Sequence, residues 1–163
     1  MKFTTTDQRH LDAADGWLGL GDYLSANGEL EQITLELRGL PAVLSRRVEI
    51  YAKAKRWNDS AKIAEALVKI TPEDVHAWIS RSFALHVLKR TQEAYDLLLP
   101  AGIFFPKCWT VPYNLACYCC QLGRRGEAEV WFKCAMAIDG KSVKRQAIDD
   151  PDLKPLWSRI DEF

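Results

Sequence analysis

Ala84-Leu85-His86-Val87-Leu88-Lys89-Arg90-Thr91-Gln92-Glu93-Ala94 decides the fold, because the chain around it overlays on itself when shifted by 34 residues. With repeats started at Asp7, Pro41, Val75 and Trp109, the eighth position reads Ala14, Val48, Ser82 and Ala116. The twentieth reads Ala26, Ser60, Ala94 and Ala128, small every time. Larger apolar residues recur beside them. The eleventh position holds Trp17, Tyr51, Leu85 and Cys119, the twenty-fourth Leu30, Ala64, Leu98 and Phe132, and the twenty-seventh Ile33, Leu67, Ala101 and Ala135.

A 34-residue period with small residues at two fixed places is the signature of the tetratricopeptide repeat (TPR), two antiparallel helices per repeat. Small residues sit where the two helices of one repeat press closest, and the larger ones fill the space between neighbouring repeats. First helices are expected at 7–20, 41–54, 74–88 and 108–122, and second helices at 23–37, 57–70, 91–101 and 125–138. The turns fall at Gly21-Asp22, Lys55-Arg56, Lys89-Arg90 and Gly123-Arg124. Pro72 and Pro106, 34 apart, close the second helices of their repeats, and Gly140 takes the matching place in the fourth. No segment alternates apolar and polar residues over a useful length, so no strand is expected. The fold class is all-α: a right-handed α-solenoid of about four TPR helix pairs with a C-terminal capping helix. It forms a single domain with repeats at 7–40, 41–74, 75–108 and 109–142 and a lid at 143–163. The lid carries Leu153, Leu156, Trp157 and Ile160 on one face, to cover the apolar surface that a last repeat leaves bare.

Composition narrows the function classes. Lys plus Arg and Asp plus Glu both number 22, so the formal charge is zero, which argues against nucleic acid or an acidic membrane as partner. No apolar run reaches the roughly 18 residues of a membrane span. The start, Met1-Lys2-Phe3-Thr4-Thr5-Thr6-Asp7, lacks a signal-type stretch, so a cytoplasmic location is expected. Five cysteines, an odd number, speak against a secreted disulfide framework.

Three stretches resemble a group of bacterial TPR proteins: the stretch from Ala84 to Ala94, then Pro112-Tyr113-Asn114-Leu115-Ala116-Cys117-Tyr118-Cys119-Cys120-Gln121-Leu122-Gly123-Arg124, and the tail Asp149-Asp150-Pro151-Asp152-Leu153-Lys154-Pro155-Leu156-Trp157. The resemblance runs from about Ala14 to the end. It implies a scaffold or adaptor, with a peptide lying in a concave groove lined by the first helices. Carried over from the superfamily, the groove positions here are Asp15 and Glu49 early, then His76, Ile79, Phe83, His86, Tyr113, Cys117, Cys120 and Gln121. The early half is acidic and the later half apolar and aromatic, a combination that suits a contact surface. The occupant is a protein or peptide segment, a second copy in a homodimer, or the chain's own termini. The carboxylate clamp of chaperone-tail binders has no counterpart: its places carry Leu11, Asp15, Arg46, His76 and Ser80.

The function expected is therefore a protein–protein interaction module or adaptor, with no enzymatic activity and no cofactor. A secretion-type TPR chaperone is the alternative in the same class. A thiol-based redox or metal protein using Cys117 and Cys120 is the alternative in another. That pair sits mid-helix, without the dipole of a helix N-terminus to lower its thiol pKa, and a structural zinc would need four ligands. Buried cysteine is a common packing residue. Asp149, Asp150 and Asp152, at a helix break and a helix start, fit capping.

Overall fold

Four residues spaced 34 apart take positive φ: Gly21 at 79°, Lys55 at 58°, Lys89 at 65° and Gly123 at 74°. In each case the next residue's N–H closes the preceding helix from outside. Asp22 donates to Trp17 O (3.0 Å), Arg56 to Tyr51 O (2.8 Å), Arg90 to Leu85 O (2.9 Å) and Arg124 to Cys119 O (2.8 Å). This is the Schellman closure, in which a left-handed residue lets the chain reverse while satisfying a terminal carbonyl. The sequence period is thus also a period of backbone conformation, and it lands on the four turns expected.

The computed structural model describes residues 2–162, with side chains as far as Ser158. Among these residues there are nine α-helices and two 3-10 segments, and no strand. The helices are α1 (Thr5–Gly19), α2 (Tyr23–Leu30), α3 (Pro41–Lys53), α4 (Trp57–Ile70), α5 (Val75–Val87), α6 (Thr91–Leu98), α7 (Ala101–Phe104), α8 (Thr110–Gln121) and α9 (Arg125–Ala147). The 3-10 segments are Leu35–Leu37 and Pro151–Glu162. The residues gather into two compact units, one ending at Ala84 and one beginning at Leu85.

In the first unit α1 pairs with α2 and α3 with α4. Leu11, Ala14, Ala26, Leu30, Ile33, Leu37, Val43 and Ile50 form one buried cluster. Val48, Ala64, Leu67, Val68 and Ala77 form another. The small positions sit where the period puts them. Ser60 is buried, and its hydroxyl donates to Val48 O at 3.2 Å, which ties the twentieth position of the second repeat to its eighth. Trp17 is the exception among the apolar positions, 39% exposed at the end of α1.

Two second helices are shorter than the period suggests. The first, expected to run to residue 37, stops at Leu30. Asp7, which boxes the start of α1 with Thr4, also takes both the N–H and the hydroxyl of Thr34. That N–H is then withheld from an α-helical ladder. Arg38 meanwhile serves the freed carbonyls of Glu31 and Ile33. The third repeat's second helix, expected over 91–101, breaks after Leu98, because Pro100 has no N–H to give. In the fourth repeat α9 runs past the expected end at 138 but kinks there. Asp139 has φ −151° and ψ 78°, and its carboxylate accepts from Ser142 N at 3.1 Å.

The second unit pairs α8 with α9 and sets α6 against α8. Its fully buried side chains include Leu98, Val111, Leu115, Tyr118 and Phe132. The expected capping helix is a 3-10 segment instead, and it packs on both α8 and α9. Pro155 lies inside it and has no N–H for a helical bond. Residues three apart eclipse in this geometry, so Leu153 and Leu156 share a face, and both are completely buried. Trp157 is 41% exposed, with its ring N–H given to Ala147 O at 3.1 Å. The side chain of Ile160, expected on the same face, lies outside the described residues.

Candidate functional site: two groove faces in different states

In the first unit α3 and α5 line a cleft of about 470 Å³. Ser45, Arg46, Glu49 and Ala52 come from α3, and His76 and Ser80 from α5. The groove positions Glu49 and His76 therefore meet in one place. Arg46 and Ser80, outside the expected groove set, add to its polar lining beside Asp74. The sequence signal for them is their shared sixth position in successive first helices. Arg46 also reaches α1, where its Nε lies 2.5 Å from Asp15 Oδ1. Asp15, expected as an acidic group of the groove, is thus ion-paired there, with both side chains partly exposed. Glu49 is exposed, and no ion pair to it is found among the described residues. A shallower hollow beside Asp15, Glu49 and Lys53 continues along α1 and α3.

Ile79 is half-buried, and Phe83 is 44% exposed, its ring in a T-shaped contact with Trp57 at 5.7 Å between centroids. Neither lines the cleft. The walls are braced from behind. Arg81 Nη1 meets Glu65 Oε2 at 2.6 Å, and Lys69 Nζ reaches the same carboxylate at 3.1 Å. Burial opposes the charge on Glu65, yet the two cations together hold its carboxyl below the ordinary range.

The second unit differs. The part of the expected apolar groove that falls here, around His86, Tyr113, Cys117 and Gln121, is not open, because residues 150–156 lie on it. Tyr113 and Cys117 are buried, and both donate to Asp150 Oδ2, the phenol at 2.7 Å and the thiol at 3.8 Å. His86 Nε2 lies 3.1 Å from Asp152 Oδ2, and its Nδ1 lies 3.1 Å from Thr91 Oγ1. A carboxylate only accepts, so Nε2 donates in that pair. The His86 ring also packs on Tyr118, with centroids 4.9 Å apart. Gln121 Nε2 donates to Asp152 O at 3.3 Å. Asp150 and Asp152 do more than cap. Asp150 Oδ1 takes the Asp152 N–H as expected of a capping residue, while its other oxygen faces α8.

Burial and the Asp150 carboxylate push the Tyr113 phenol far above its ordinary range. Burial first, then Asp150 and Asp152, also raises the Cys117 thiol well above its own. Burial moves Cys119 and Cys120 up to about 11. All five cysteines are free thiols. The redox alternative needs a thiolate at neutral pH, and this face favours the opposite form. Among the described residues no group of three or more His, Cys, Asp or Glu is placed to hold a metal ion. No helix among them is long and apolar enough to cross a membrane.

No protein-family model matches the chain, and no curated protein matches it by sequence. Solved structures do match it in fold. TTC0263, a thermophilic TPR protein of Thermus thermophilus, has a TM-score of 0.70 at 19% identity, covering 96% of this chain and 100% of that one. MamA of AMB-1 has a TM-score of 0.68 at 20% identity, covering 96% of this chain and 85% of that one. Another MamA crystal structure reaches 0.72 at 15% identity, over 91% and 88%. The all-α fold is that of the tetratricopeptide repeat.

Proposed function

We propose that this chain, with its tetratricopeptide fold, is an adaptor that binds a segment of another protein through the faces of its first helices. The observation that carries this reading is the α3/α5 cleft in the first unit, preformed at about 470 Å³ and lined by Arg46, Glu49, His76 and two serines. A site of that size with a few polar groups among apolar walls suits a peptide side chain and its backbone. The bracing of Glu65 by Arg81 and Lys69 keeps the wall in place before a ligand arrives, so little ordering cost falls on the receptor. With Asp15 paired to Arg46, the carboxylates left for a ligand are Glu49 and Asp74, whose Oδ1 takes the His76 N–H, and a Lys or Arg in the ligand complements them.

Selection of peptides from a random display library on the full chain tests the reading. Enriched peptides should carry a basic residue, and Glu49→Lys should weaken their binding about tenfold or more, the scale of a lost charge-assisted hydrogen bond. Peptides that bind Glu49→Lys and His76→Ala as tightly as the native chain would place the site elsewhere.

A further inference from the structure

The segment on the second unit's helix face is bound in the manner of a ligand. Four polar groups on the helix side donate to it: Tyr113 Oη, Cys117 Sγ, His86 Nε2 and Gln121 Nε2. Their partners on the segment accept, through the Asp150 carboxylate, the Asp152 carboxylate and the Asp152 carbonyl. Two apolar anchors, Leu153 and Leu156, go in completely. The recognition elements on the segment are therefore Asp-x-Asp-Leu-x-x-Leu, and the receiving donors are complementary to them in hydrogen bonding.

The occupant itself is poorly made for the site. Its backbone is 3-10 from Pro151 to Glu162, whereas such runs seldom exceed three or four residues because their hydrogen bonds are badly aligned. Pro155 removes a donor from it. Its tether is short: Ile148 and Asp149, both exposed, separate α9 from the first bound residue.

The geometry points to a recognition site on α8 and the end of α5 for an Asp-x-Asp-Leu-x-x-Leu segment of a partner protein, with residues 150–156 as a placeholder that the partner displaces. A second copy of this chain is the weaker occupant. It brings the same 3-10 segment with the same proline, against a tethered rival at millimolar effective concentration. A partner segment without the proline keeps the two carboxylates and two leucines and adds a sound backbone. This site is distinct from the α3/α5 cleft and does not depend on it.

The test uses the full chain and a fluorescent synthetic peptide spanning residues 149–158 with Pro155→Ala, read by anisotropy. Leu153→Ala combined with Leu156→Ala in the protein loosens the placeholder, and the peptide should then bind at least tenfold more tightly than to the native chain. Asp150→Ala with Asp152→Ala in the peptide should abolish binding, and Tyr113→Phe in the protein should weaken it severalfold. Glu49→Lys should leave this affinity unchanged, which separates the outcome from that of the first cleft. Absence of binding to the loosened chain, or binding indifferent to both aspartates, overturns the proposal. So does a loosened or native chain that sediments as a dimer with exchanged C-termini and takes up no peptide. Should the loosened chain fail to fold, hydrogen exchange of the native protein decides. Amides of 152–157 exchanging at least tenfold faster than those of α8 and α9 support a displaceable segment, and equal protection overturns it.

Discussion

Asp7 Oδ1 accepts the Thr34 N–H at 2.8 Å and the Thr34 hydroxyl at 2.9 Å, which fastens the start of α1 to the chain beyond α2. Its other oxygen takes the N–H and the hydroxyl of Thr4 at 3.0 and 2.6 Å. With donors around it, the carboxyl is held far below the ordinary range, the Thr34 N–H being the largest cause.

The sign of the pH effect follows. A carboxyl depressed in the folded state contributes stability above its unfolded pKa, about 3.9, and loses that contribution as pH falls toward the folded value. Asp7→Ala should lower Tm at pH 7, and the gap between native and variant should begin to close as pH falls below about 4 and keep narrowing toward pH 2. Thermal melts from pH 2 to 7 provide the check, and a constant gap across that range would show that Asp7 acts only through its shape.

Lys55 and Lys89 occupy the left-handed backbone region where Gly21 and Gly123 stand in the other repeats. A residue with a Cβ is strained there by about 1–2 kcal/mol, partly offset in a glycine variant by unfolded-chain entropy. Lys55→Gly and Lys89→Gly should each stabilise by up to about 1 kcal/mol. Gly21→Ala and Gly123→Ala should each cost about 1 kcal/mol, and purely through the backbone, since an added Cβ at either meets nothing within 4 Å. Urea midpoints measure all four. Opposite signs at the lysines would mean that those side chains contribute more than their backbone strain costs.

Ala94 and Ala128 are both completely buried at the twentieth position. Leucine at either overfills a packed site, at a cost of about 1–3 kcal/mol. Denaturation curves of Ala94→Leu and Ala128→Leu with unmoved midpoints would show room that the packing does not display.

The thiols divide by exposure. Cys134 is exposed, whereas Cys117, Cys119 and Cys120 are buried, and burial raises the thiol pKa of all three. At pH 8 a thiol reagent should modify Cys134 rapidly in the native protein and the three buried cysteines only on unfolding. Rapid native labelling of Cys117 or Cys120 would revive a redox role.

Much of this is legible in the sequence because the repeat's constraints are local. The turn residues 21, 55, 89 and 123, and the small positions from Ala14 to Ala128, are set by helix approach and chain reversal within one repeat, so a single sequence displays them. The features that stay hidden depend on partners far along the chain. The early stop of α2 comes from Asp7, 27 residues before Thr34. Asp15 reads as a free acid without Arg46 against it, and nothing local to Phe83 shows its ring contact with Trp57. The state of the second groove face is hidden for the same reason. Asp150 and Asp152 fit capping by local rules, and their bonds to Tyr113 and His86 reach back 37 and 66 residues.

The left-handed turns bear on how the chain reaches its fold. Three of them place a helix beside the one that follows it at once, α1 beside α2, α3 beside α4 and α8 beside α9. Contact order is therefore low over most of the molecule, and the loop-closure entropy of each hairpin is spent over a few residues. Such pairs can form early and independently. The bonds from Tyr113 and His86 to the C-terminal aspartates are the long-range exception, so that segment is expected to dock after its helices are in place.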